Sequence, residues 1–128
     1  MRVWAIVPAA GSGQRFGAGG PKQYRLLAGK PILAHVIDLF LAAPGIDGLV
    51  LVTAIADARW RTWVPKPAAR PLIAVTGGAT RAASVRAALT ALEGVATAGD
   101  WALVHDAARP CLAPADLSRL LDELKDDP

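Results

Sequence analysis

Four short apolar runs recur along this chain: Val3-Trp4-Ala5-Ile6-Val7, Gly48-Leu49-Val50-Leu51-Val52-Thr53, Leu72-Ile73-Ala74-Val75-Thr76 and Trp101-Ala102-Leu103-Val104-His105. None alternates apolar with polar residues, which marks strands covered on both faces, as in parallel sheets. Helical patterns lie between them. One opens at Pro31, carries Leu33, Val36, Ile37, Phe40 and Leu41 on one face, and stops at Pro44-Gly45. His35 and Asp38 fall on its opposite, solvated face. A second opens at Thr80 as N-cap, with Val85, Leu89 and Leu92 at helical spacing and Gly94 beyond. A third opens at Pro114 and carries a stripe of Leu117, Leu120, Leu121 and Leu124. Strands alternating with helices imply right-handed crossovers and an α/β, doubly wound, mainly parallel sheet.

At 128 residues the chain is one domain, residues 1–128, able to bury about two-thirds of its unfolded surface. With 53% hydrophobic and 20% charged residues it is not a disordered chain. A single cysteine, Cys111, precludes an internal disulfide and suits a reducing compartment. The first apolar run is too short for a secretion signal, and no run approaches the ~20 residues needed to span a bilayer. A cytoplasmic protein without a membrane partner is expected. Arg59-Trp60-Arg61-Thr62-Trp63 has the look of a nucleic-acid patch, but no recognition module accompanies it. A short helix over 56–64, tryptophans packed and arginines solvated, is expected instead, and no nucleic-acid partner. Asp126-Asp127-Pro128 ends a helix where positive charge would suit the dipole, and four strands are few for this architecture. The chain is expected to be part of something longer.

Ligands in such sheets bind beyond the carboxyl ends of the strands. The first of these ends leads into Val7-Pro8-Ala9-Ala10-Gly11-Ser12-Gly13-Gln14-Arg15-Phe16-Gly17-Ala18-Gly19-Gly20-Pro21-Lys22-Gln23. Small residues let backbone N–H groups approach a ligand, and Arg15 and Lys22 match an anion such as a triphosphate. A dinucleotide fingerprint is disfavoured, because Phe16 stands where its third glycine belongs and Thr53 where its carboxylate belongs. A Walker A loop fails too, since no Lys-Ser/Thr pair follows the glycines. The fourth strand leads into His105-Asp106-Ala107-Ala108-Arg109-Pro110, where Asp106 could hold Mg²⁺ beside phosphate oxygens or simply pair with Arg109. His105 is expected to make a structural hydrogen bond. The third strand leads into Gly77-Gly78-Ala79-Thr80-Arg81-Ala82-Ala83-Ser84, a tight turn and helix N-terminus with Arg81 and Ser84 on one face.

Together, P-A-A-G-x-G-x-R at the first loop, P-K-Q-Y at 21–24, G-G-x-x-R-x-x-S at 77–84 and V-H-D-A-A-R-P at 104–110 resemble the 2-C-methyl-D-erythritol 4-phosphate cytidylyltransferase family. The first two motifs occur more loosely across nucleotidyltransferases; the last two, in this order, are specific. The resemblance covers the whole chain and implies a Rossmann-like nucleotidyltransferase fold, truncated here at about four strands. It implies transfer of cytidylyl from CTP to 2-C-methyl-D-erythritol 4-phosphate with release of pyrophosphate, in non-mevalonate isoprenoid synthesis. Arg15 and Lys22 match the residues that stabilise the transition state at the α-phosphate, and Asp106 the Mg²⁺ ligand. Ser84 and the backbone around Ala9, Ala10 and Gly78 match cytosine contacts, beside Gly11 and Gly13 of the loop. Ala107 falls near the ribose, and Arg81 and Arg109 match supporting positions. Ala79 departs from the pattern, where relatives can carry an aspartate. Family members are nearly twice as long, and their second half supplies the homodimer arm and the acceptor-binding residues. Two alternatives stay open: a sibling nucleotidyltransferase with another polyol or sugar phosphate acceptor, and a catalytically incomplete CTP-binding fragment.

Overall fold

The computed structural model describes residues 1–10 and 21–125. Four strands, β1 (Val3–Ala9), β4 (Gly48–Thr53), β5 (Leu72–Thr76) and β6 (Trp101–Val104), pair in parallel in the order β5-β4-β1-β6. Between β1 and β4 lie a two-stranded antiparallel ladder, β2 (Leu26–Leu27) and β3 (Lys30–Pro31), and helix α1 (Ile32–Ala42). Helices α2 (Arg81–Leu92) and α3 (Pro114–Lys125) follow β5 and β6. The α/β, parallel, doubly wound reading therefore holds.

Period-two alternation within the strands divides the core between two faces. Val3, Ala5, Val7, Leu49 and Leu51 point to the face covered by α1 and α3, where Phe40, Ile37, Leu117 and Leu121 meet them. Trp4, Ile6, Val50 and Val52 point to the other, where Ala88 and Leu92 of α2 pack. Gly48 is required here: a Cβ on it would lie 2.3 Å from the Trp4 ring.

The α1 stripe is buried as its spacing predicts. The α2 face differs, since Ser84, Ala88 and Leu92 are buried while Leu89 is largely exposed. Small residues face the sheet because helix and strands approach closely. On α3, Leu117 and Leu121 are buried and Leu120 is exposed. The outer strands also depart from full coverage: alternate residues of β6, Ala102 and Val104, are exposed, because α2 packs over β1, β4 and β5 rather than over β6. β1 runs through Pro8 to Ala9, further than expected. The backbone N–H and C=O groups of even-numbered β1 residues are directed to β6, whose ladder stops after Ile6 C=O accepts from His105 N–H, so the absent N–H of Pro8 breaks no bond.

The helix expected over 56–64 is a single 3-10 turn, Arg59–Trp63, with Trp60 buried. His35 is not merely solvated, because its Nε2 donates to the Leu27 carbonyl at 2.6 Å and ties α1 to the β2–β3 turn. Ala28 and Gly29 in that turn both take positive φ, as a two-residue hairpin requires. Among the described residues no helix is long and apolar enough to cross a membrane.

At the amino end of the sheet, Asp100 closes the turn into β6. Its carboxylate accepts from Thr97 N–H at 2.9 Å and Arg2 N–H at 2.8 Å, with Arg2 Nε at 3.5 Å. These bonds favour the charged form and hold its pKa at about 2. An unfolded aspartate titrates near ~3.9, so below that pH the unfolded chain binds more protons. The Asp100 contribution is therefore complete above about pH 4 and is lost as pH falls toward 2. Melting temperatures taken between pH 5 and 2 should fall less steeply in Asp100→Asn than in the parent chain; an unchanged slope would assign the acid limb to other carboxylates.

Candidate active site

The carboxyl ends of β1, β5 and β6 bring three of the sequence motifs to one end of the sheet. β1 lies at the point where the connections part, first toward β4 and β5, then back across to β6. Such a point opens a crevice beyond the strand ends.

Gly77 joins the first motif to the third. Its N–H donates to the Thr53 carbonyl at 2.8 Å, extending the β4–β5 ladder. A Cβ there would lie 2.5 Å from Ala10 Cβ, 2.6 Å from Ser84 Oγ and 2.9 Å from Val52 Cγ1. Only glycine lets Ala10, Ser84 and the turn converge. At Gly78 a Cβ would lie 2.5 Å from Ala83 Cβ, so both glycines press against the first turn of α2. That turn is capped as its sequence predicts: the Thr80 hydroxyl accepts from Ala83 N–H at 3.0 Å. Ser84 is buried and Ala9 is almost fully so. Gly77→Ala should cost about 1–3 kcal/mol in stability by overpacking. It should also weaken nucleotide binding, because Ala10 and Ser84 must move apart. Thermal melts with and without CTP test this, and an undisturbed melt would show that the turn can give way.

On the other side of β1, Asp106 is held between two arginines. Its carboxylate pairs with Arg81, and Arg109 Nε donates to Oδ2 at 2.9 Å. Both arginines are largely exposed while Asp106 is about one-third exposed. Exposed pairs of this kind add little stability. Two guanidiniums on one carboxylate do leave a net positive rim at the strand ends. Ala107, beside Asp106, is buried in the α1-side core and anchors the loop.

His105 departs from expectation. Its ring meets Phe40 edge-on at 5.3 Å, and Nδ1 is buried with no hydrogen-bond partner among the described residues. Burial lowers its pKa, and the charges of Arg109 and Arg81 lower it further. A neutral ring under the loop results.

Lys22 lies on a 3-10 turn, Lys22–Tyr24, and the neighbouring Gln23 is buried. Gln23 Nε2 donates to the Ala9 carbonyl at 3.0 Å, which ties the turn to the end of β1. Lys22, Ala9, Ala10, Gly78, Arg81, Ser84, Asp106, Ala107 and Arg109 thus all lie at this end of the sheet. Arg15, Gly11 and Gly13 lie outside the described residues.

A family model for IspD, 2-C-methyl-D-erythritol 4-phosphate cytidylyltransferase, matches residues 3–128. The chain belongs to this family. It is 50% identical over 126 residues to the IspD of Stenotrophomonas maltophilia (strain R551-3), covering 98% of this chain and 54% of that protein. To the IspD of Xanthomonas campestris pv. campestris (strain B100) it is 52% identical over 126 residues, covering 98% and 47%. The chain spans about half the length of the curated relatives it matches. A crystal structure of 4-diphosphocytidyl-2C-methyl-D-erythritol synthase superimposes with TM-score 0.80 at 30% identity, covering 98% of this chain and 55% of that one. A CMP:2-keto-3-deoxy-manno-octonic acid synthetase complexed with CTP superimposes at 0.72 with 20% identity, covering 100% and 49%, a likeness of fold alone.

Two residues that shape the site, Gln23 and Gly77, lie within the sequence motifs but carry structural roles that the motifs alone do not assign. Nothing local to the sequence marks Gln23 as buried, because its burial depends on the Ala9 carbonyl. At Gly77 the signal is the glycine doublet that ends the strand, which itself marks close approach.

Proposed function

We propose that these residues form the CTP-binding half of a cytidylyltransferase that acts on 2-C-methyl-D-erythritol 4-phosphate, giving 4-diphosphocytidyl-2-C-methyl-D-erythritol and pyrophosphate. The observation that carries this reading is the gathering of Ala9–Ala10, Gly77–Ser84 and Asp106–Arg109 at the carboxyl ends of β1, β5 and β6, with Lys22 tied beside them by Gln23. In the reaction an oxygen of the acceptor phosphate attacks the α-phosphorus in line. A new phosphorus–oxygen bond forms, and the bond from the α-phosphorus to its bridging oxygen breaks with its electron pair leaving on pyrophosphate. An acceptor phosphate with second pKa ≈ 6 is already ionised at neutral pH. No side chain has to remove a proton, which leaves the half-buried His105, edge-on against Phe40, a packing role.

What the chemistry demands is cancellation of negative charge where two anions meet. Arg15 and Lys22 take that role at the α-phosphate. Arg81 and Arg109 provide the positive rim for the triphosphate, cytosine rests on the backbone of Ala9, Ala10 and Gly78 with Ser84, and Ala107 faces the ribose. Asp106 fits a divalent cation as a lone carboxylate. Among the described residues no three His, Cys, Asp or Glu side chains gather, so the remaining ligands would be phosphate oxygens and water, as Mg²⁺ prefers. Such a cation would neutralise charge on the departing pyrophosphate.

The test is turnover by a protein of the family's full length carrying these 128 residues, with CTP, ATP, GTP and UTP against several polyol phosphates. Preference for CTP with methylerythritol phosphate, lost on chelation of divalent metal, is expected. Preference for another nucleotide or acceptor would transfer the assignment to a sibling enzyme, and no turnover with any pair would make this a binding module.

A further inference from the structure

Two residues beyond Lys22, the Tyr24 ring lies beneath a guanidinium: Arg59 Cζ is 3.8 Å from the ring centroid. Arg59 is itself fixed from below. Its Nε and Nη2 donate to the two oxygens of Asp57 at 3.0 and 3.1 Å, and its backbone N–H donates to Oδ1 at 3.1 Å. The Asp57 side chain is only 6% exposed, although that of Arg59 is 55% exposed. Trp60, buried in the α1-side core, donates through Nε1 to the Asp57 carbonyl at 3.1 Å. Just before Asp57, Ala56 has φ of +60°, a left-handed conformation that alanine rarely adopts. The loop after β4 holds a strained residue at the point where Asp57 turns under Arg59.

A line of contacts therefore runs from the core through Trp60, Asp57, Arg59 and Tyr24 to the turn bearing Lys22. Gln23, bonded to the Ala9 carbonyl, holds the same turn from the other side. Arg59 keeps the nearly buried Asp57 carboxylate paired, but that role alone does not call for the stack on Tyr24, so the arrangement does more than stabilise the loop. It is well suited to fixing the base of a long, flexible side chain.

We propose that Arg59 is a positioning residue for nucleotidyl transfer: stacked on the Tyr24 ring and anchored to the Asp57 carboxylate, it fixes the Lys22–Tyr24 turn so that Lys22 meets the α-phosphate as charge develops there. The proposal rests on the role assigned to Lys22. A small displacement of a charge-stabilising group lowers the rate of the chemical step more than it weakens ground-state binding.

In the family-length protein, Arg59→Ala should lower kcat on the order of tenfold while leaving KM for CTP within about twofold. Arg59→Lys, which keeps the charge but loses the planar fork, should recover only part of this. Tyr24→Leu should reproduce the loss, and Tyr24→Phe, which keeps the ring, should restore the rate. Melting curves and CTP calorimetry on each variant separate a positioning loss from a folding loss. The decisive comparison is the double variant: Arg59→Ala added to Lys22→Ala should cause no further decrease, because the clamp acts through Lys22. An equal fold-loss in both backgrounds would overturn the proposal, as would a wild-type kcat for Arg59→Ala beside a slow Lys22→Ala. Wild-type turnover by Lys22→Ala itself would remove the assigned role of Lys22 and the clamp together.

Discussion

Replacing Lys22 by alanine should lower kcat by on the order of a hundredfold or more in a family-length protein, and Arg15→Ala should do the same. A hundredfold corresponds to about 2.7 kcal/mol of lost transition-state stabilisation. That is larger than an exposed ion pair supplies, because in the proposed reaction the contact would be made where two anions are forced together and water is displaced. Uniform binding would behave differently, raising KM for CTP and sparing kcat. The Gln23 bond to Ala9 places the Lys22 backbone beside the end of β1 and favours the kcat outcome. For Arg15 the expectation stands on its position in the glycine-rich loop. Single-turnover rates for both variants decide the matter. Wild-type rates in both would mean that neither cation meets the α-phosphate.

Phe40→Ala should produce the largest loss of stability, about 3–5 kcal/mol, from a chain with a total of only ~5–15 kcal/mol. Phe40 is fully buried at the centre of the α1-side core. Its ring also supports His105 edge-on, one residue before Asp106. The deletion therefore leaves a void beneath the loop that bears Asp106 and Arg109, and CTP affinity should fall along with the melting temperature. Phe40→Leu, which fills most of the volume, should lose much less of both. A chain whose melting point moves but whose CTP affinity does not would separate the core from the loop.

The strands and helix α1 were legible because their signals are local: continuous apolar runs, Pro31 at the start, and Leu33, Val36, Ile37, Phe40 and Leu41 at helical spacing. The motif-bearing turns were legible because glycine, arginine and aspartate in those patterns have few uses. What could not be read was set by packing between distant segments. Ser84 and Ala88, rather than Val85 and Leu89, face the sheet because Gly77 and Val52 stand close beneath α2. The expected helix over 56–64 gave way to a 3-10 turn around Asp57, whose partner Arg59 stacks on a tyrosine far back in sequence. Burial opposes ionisation of Asp57, yet the hydrogen bonds from Arg59 outweigh it and hold its pKa below the ordinary value. No periodicity in the sequence announces such a pairing.

The central position of β1 sets the order in which the molecule can be assembled. Trp4 is registered with Gly48 on one side, and Val3 with Trp101 on the other. Val3–Ala9 is therefore made well before Trp101–Val104 and has no β6 partner until that strand follows. Parallel pairings between segments so far apart close large loops and form slowly. The nascent intermediate exposes one flank of this apolar strand until residues beyond Val104 emerge, and this is the stage at which chaperones or unwanted strand pairing would compete for it.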